Sequence, residues 1–150
     1  MKSILSLFVS ALVIAAAPAF ATEGMISVKS PHSVKETINR LKENARQRSF
    51  TIVARVDHAA AAAKVNKTLR PTELLIFGNP VGGTPFMECA QTIGIDLPLK
   101  ALAWEDDKGV VWLGYNDPAY VAQRHGAAQC PAAANIAKAM SALVDAAIKP

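Results

Sequence analysis

The residues with most chemical potential in this chain are a glycine-rich loop, one histidine and two cysteines. The loop reads Gly78-Asn79-Pro80-Val81-Gly82-Gly83-Thr84 and lies between an apolar run and a helix start, where backbone amides could converge on an anion. Its spacing approaches a phosphate-binding loop, but Thr84 stands where the lysine belongs, which disfavours nucleoside triphosphate chemistry. The other reading is a tight turn that uses glycine for its conformational range. His58 follows Asp57 at the mouth of a helix, where it could serve as a general base, bind a metal or hydrogen-bond a ligand. Equally, it could be a structural histidine held by the backbone.

Cys89 and Cys130 have two readings. In an oxidising compartment two cysteines form a structural disulfide. Alternatively, Cys130 precedes Pro131 at a helix start, where the helix dipole could lower a thiol pKa and make the sulfur reactive. The remaining donors for a metal or haem are His32, His58, His125 and Met87, and no pair stands at a recognised ligand spacing. No metal and no cofactor is therefore assigned. A Gly-x-Ser-x-Gly elbow is lacking, and Glu105, Asp106 and Asp107 read as a solvated turn rather than paired catalytic carboxylates.

The first residues read as an export signal: Lys2, an apolar run from Ile4 to Ala17, then the small-x-small site Ala19-Phe20-Ala21. The run is too short to span a bilayer comfortably, and no cysteine follows it to carry a lipid. Residues 1–21 are thus expected to be removed, leaving 22–150 in the periplasm or secreted, with no membrane span after cleavage. That length supports one domain with a proper core. Losing Lys2 takes the formal charge from +4 to +3. The charges are scattered, without the basic stripe and interleaved aromatics that nucleic acid requires.

The elements that must position these residues alternate. Met25 to Val28 is a strand; Ser33 to Glu36 is a capping box; Val34, Ile38, Leu41 and Ala45 follow at helical spacing. Phe50 to Val56 is a second strand, and Asp57 caps a short alanine helix over Ala59 to Val65 that suits close packing on a sheet. Leu74 to Phe77 is expected to be central in that sheet. Thr84-Pro85 should open a helix with Phe86, Ala90 and Ile93 inward, closed by Gly94 in a left-handed conformation. Leu97 to Glu105 and Val110 to Tyr115 form a hairpin around Asp106 to Gly109. If its loop is the three-residue kind with a glycine bulge, Trp104 faces Trp112. Asp117-Pro118 opens a short helix that Gly126 ends, and Cys130-Pro131 opens the last one.

These elements make an α+β domain of two layers, a largely antiparallel sheet with helices mainly on one face. Apolar residues occupy both faces of the hairpin: Leu102, Trp104, Val110 and Trp112 against Leu99, Ala101, Val111, Leu113 and Tyr115. Helices on one side leave one set to water, and a homodimer is one remedy.

Four blocks, Val56-Asp57-His58, Thr72 to Pro80, Leu97-Pro98-Leu99-Lys100 and Val111 to Pro118, occur in an order that resembles the bacterial family catalogued as domain of unknown function 302. The resemblance covers most of the chain after residue 21. It implies a compact two-layer α+β domain that tends to pair with itself, and it singles out His58. None of the blocks is a catalytic signature. The expected function is an exported, non-catalytic module that binds a small ligand or a periplasmic partner at Asp57, His58, Gly78, Asn79, Gly82, Gly83 and Thr84. The rival is a redox, metal or haem protein using His58 with Cys89 or Cys130.

Overall fold

The computed structural model describes residues 22–150; the export signal expected at 1–21 lies outside them. Five strands form one antiparallel sheet in the order β1-β5-β4-β3-β2: β1 is Met25–Ser30, β2 Thr51–Asp57, β3 Thr72–Gly78, β4 Leu99–Glu105 and β5 Val111–Asn116. Strand β3 is interior but one place off centre, which β4 occupies. Helices α1 (Val34–Gln47) and α5 (Pro131–Ala147) pack together, and α1 lies against the sheet. The shorter helices are α2 (His58–Ala63), α3 (Pro80–Cys89) and α4 (Pro118–Arg124).

Period-2 alternation along the strands decides which side chains meet the helices. Leu75 and Phe77 of β3, Ala101 and Ala103 of β4, and Leu113 and Tyr115 of β5 are buried there. Ile38, Leu41 and Ala45 of α1 and Met140, Leu143 and Ala147 of α5 close over them. One charged pair joins that layer. Arg55 donates to the buried carboxylate of Glu73 and, at 2.7 Å, to Asn39 Oδ1 on α1.

The hairpin follows the register argued from its loop. The Asp106 amide donates to Val110 O at 2.9 Å, Gly109 has φ of +74°, and Trp104 faces Trp112 with ring centroids 6.5 Å apart. These two rings, with Val56, Leu74, Ile76 and Leu102, are half-buried on the sheet face opposite the core, as strand alternation requires. Lys29 sits 5.5 Å from the Trp112 ring. Asp106 ties the turn together, because its carboxylate accepts from the Trp112 indole at 2.8 Å and from the Lys108 and Val110 amides. These hydrogen bonds, the indole first, hold its pKa below the ordinary 3.8.

Several boundaries differ from expectation. Helix α3 begins at Pro80, not Thr84: the Asn79 side chain accepts from the Val81 amide at 2.9 Å, and Pro80 takes the first helical position. Pro85 falls inside it. The helix ends at Cys89, where Ala90 turns extended and a 3-10 turn over Gln91–Ile95 follows; Gly94 is not left-handed. Helix α2 stops at Ala63 and lies beside β3, with none of its alanines fully buried. Only half of the capping box forms: Ser33 Oγ accepts from the Glu36 amide at 3.2 Å, while Thr37 Oγ1 returns a bond to Ser33 O. Cys89 and Cys130 are joined, with Cα atoms 5.9 Å apart across 41 residues of chain.

Candidate functional site

A cleft of about 790 Å³ opens above one end of β2 and β3. Its floor is Phe50, Gly78 and Leu99, where the sheet stops. One wall is the first turn of α3, from Pro80 to Thr84; the other is a stripe of α5 made of Ala132, Asn135, Ile136 and Ala139. Positions spaced three, four and seven apart fall on one helical face, so this stripe is continuous. Val53 completes the rim. It is the extra residue at a bulge in edge strand β2, and 57% of its surface is exposed.

Asn79 builds the loop wall. Its amide nitrogen donates to Ser49 O at 3.1 Å, and its oxygen caps α3. That capping also settles the anion question. Pro80 has no amide hydrogen, Val81 donates to Asn79 Oδ1, and Gly82 and Gly83 both donate to Asn79 O. The amides expected to converge on an anion are spent within the chain. None of the cleft-lining residues is ionisable.

The expected site residues therefore separate into two groups. Gly78, Asn79, Gly82, Gly83 and Thr84 line the cleft. Asp57 and His58 do not. Strands β2 and β3 are neighbours but antiparallel, with Thr51 opposite Gly78 and Asp57 opposite Glu73. Six residues of strand put His58 about 20 Å from Gly78, at the other end of the sheet. Bringing the two segments to one rim would need β2 and β3 to run parallel, and they are antiparallel. Asp57 is occupied in capping α2 through the Ala60 amide at 2.8 Å, and His58 is exposed.

Sequence reasoning missed the α5 stripe. The dominant period of that helix marks Ile136, Met140, Leu143 and Ala147, and it hides a second face of small residues. A second constellation was also missed. His125 Nδ1 meets Thr92 Oγ1 at 2.9 Å, its Nε2 meets Asp96 Oδ2 at 2.7 Å, and Arg124 pairs with Asp96 at 3.1 Å. Hydroxyl, imidazole and carboxylate stand in the order of an acyl-transfer relay. The cavity touching Asp96 is only about 20 Å³, the space of a single water. With no room for a substrate, the cluster is a bracket. It fastens the 3-10 turn to the end of α4, while the Cys89–Cys130 bridge ties the end of α3 to the start of α5. Among the described residues no group of three His, Cys, Asp or Glu side chains is placed to hold a metal ion.

Comparison with known proteins gives a consistent family. The family described as "Domain of unknown function DUF302" matches residues 26–147. The crystal structure of an uncharacterized conserved protein DUF302 from Bacillus stearothermophilus superposes with a TM-score of 0.75 at 21% identity, covering 85% of this chain and 100% of that one. Among curated proteins, "Fluoride-specific ion channel FluC 1" of Brucella suis is 53% identical over 102 residues, which is 68% of this chain and 40% of that protein. The protein of the same name in Brucella abortus is also 53% identical over 102 residues, covering 38% of its length. The chain thus spans about two fifths of the curated relatives it matches.

Proposed function

The chain belongs to the DUF302 family, a domain of unknown function, and on that premise we propose that it is an exported, non-catalytic module that binds a small ligand. The cleft carries this reading. Its volume falls in the range of small-molecule sites, its walls are largely apolar, and its few polar groups are neutral. The redox, metal or haem alternative has less support, because both sulfurs it would use are consumed in one disulfide.

The relatives from Brucella add context. A channel needs a path across a membrane, and no helix among the described residues is long and apolar enough to cross one. The match covers only about two fifths of those proteins, so their named activity is not carried over to this chain. Self-association belongs to the same proposal: Trp104, Trp112, Leu102 and Leu74 share a sheet face that the α1–α5 layer does not cover.

Thermal-shift and native mass spectrometry screens of the purified protein against small molecules test the ligand reading. A bound compound should raise the melting temperature, and Ala139→Trp, which fills the cleft, should abolish its binding. A compound that binds Ala139→Trp equally well sits elsewhere, and no stabilising compound at all defeats the reading. Sedimentation should give a dimer that Leu102→Glu splits; a monomeric parent protein overturns self-association.

A further inference from the structure

Resting on that reading of the cleft, we infer that its ligand is an uncharged, mainly apolar molecule, held by its body rather than by a charged head. The inference comes from what the walls can and cannot offer. A carboxylate or phosphate needs a cation or free amides. The lining holds no Lys, Arg or His, and the amides at the start of α3 donate to Asn79. A cationic ligand needs a carboxylate or aromatic faces. The lining has no Asp or Glu, and Phe50 is its single aromatic residue, with its ring set edge-on to Phe77 at 5.7 Å. Burying either charge here would leave it unpaired.

The polar side chains that remain are neutral and uncommitted. Thr51, Thr84 and Asn135 line the cleft, and none makes a side-chain hydrogen bond among the described residues. They can bond a hydroxyl, ester or amide at one end of an otherwise apolar molecule. Apolar groups supply the rest of the surface: Met87 is an adaptable wall, and Val81, 83% exposed, gains most from a ligand that covers it.

Glycines at the mouth point the same way. A Cβ added to Gly82 would come within 4.0 Å of Ile136, and one on Gly83 within 3.6 Å of Leu97, both ordinary contacts. Neither residue has a left-handed backbone. Packing and conformation both allow side chains there, so what the glycines provide is open space along an apolar wall.

The test uses one chain length with three head groups. The purified protein is loaded with the neutral fluorophore N-phenyl-1-naphthylamine and titrated with 1-decanol, decanoate or decylammonium. Decanol should displace the probe at a concentration at least tenfold lower than either ion. Asn135→Ala should weaken decanol severalfold. Ala139→Trp should abolish the probe signal; if that variant misfolds, Val81→Trp at the exposed rim serves instead. Decanoate or decylammonium competing as well as decanol overturns the uncharged class and leaves the cleft as a binding site. A probe that never responds, or that responds equally in the tryptophan variants, overturns the cleft reading itself.

Discussion

Replacing both Gly82 and Gly83 with alanine should make the protein more stable. The two residues are the third and fourth of α3, in helical backbone, and glycine there costs about 0.5–1 kcal/mol relative to alanine because the unfolded chain has more freedom to lose. New methyl groups would meet Ile136 and Leu97 at van der Waals distance, so no strain offsets that gain. The pair should therefore add about 1–2 kcal/mol. With an unfolding entropy near 2.1 cal/mol/K per residue over some 130 residues, the melting temperature should rise by about 4–7 °C. Differential scanning calorimetry reads this directly, with the probe titration run on the same samples. Affinity for an apolar probe should fall as stability rises, because the methyl groups enter the cleft. A melting temperature that drops, or stays put, would show that the glycines serve the backbone path of α3 and not the opening beside it.

Further expectations follow from other parts of the molecule. Reducing Cys89–Cys130 should cost about 4 kcal/mol, from the loop entropy released across 41 residues, measured by urea denaturation with and without reductant. Arg55→Met should cost about 3–5 kcal/mol, since it strands the buried Glu73 carboxylate; a loss below about 1 kcal/mol would overturn the stranded-charge reasoning. The folded pKa of Asp106 is depressed, so its contribution is present above its ordinary pKa and lost as pH falls through the folded value. Asp106→Asn should accordingly flatten the acid limb of a stability–pH profile and leave its slope near pH 7 unchanged. His58→Ala should leave stability within about 0.5 kcal/mol and probe binding unaltered, given its exposure and its distance from the cleft.

The register of the β4–β5 hairpin was legible because one glycine and one aspartate determine it, and everything along both strands follows from that loop. Helix α1 was legible for a similar reason: Ser33 and four apolar residues at helical spacing agree. The start of α3 was misplaced because two proline signals compete. Asn79-Pro80 prevails over Thr84-Pro85 through a side-chain cap that depends on Asn79 also reaching Ser49, a contact across 30 residues. The site was half legible. Glycines marked the loop, but pairing it with His58 required a strand direction that local sequence does not encode. The α5 wall of the cleft is made of Ala132, Asn135, Ile136 and Ala139, a mix of small, neutral and apolar residues that matches no ligand-binding pattern. The Thr92–His125–Asp96 cluster spans 33 residues of chain and has no spacing rule behind it.

Four of the five strands form a meander, β2 to β3 to β4 to β5, in which each can pair with the strand just made. Strand β1 is the exception: it comes first in the chain and has only β5 to pair with, Met25 opposite Asn116. A chain emerging from its N-terminus therefore carries β1 unpaired until nearly all of the sheet has followed. Such a non-local closure is kinetically expensive and comes late. The disulfide reinforces this order, since both of its cysteines lie beyond residue 88, in the part that arrives last. The meander can thus form as it emerges, and only the closing pairing of β1 with β5 waits for the end of the sheet. The same strand is the first that a pull on the N-terminus would peel away.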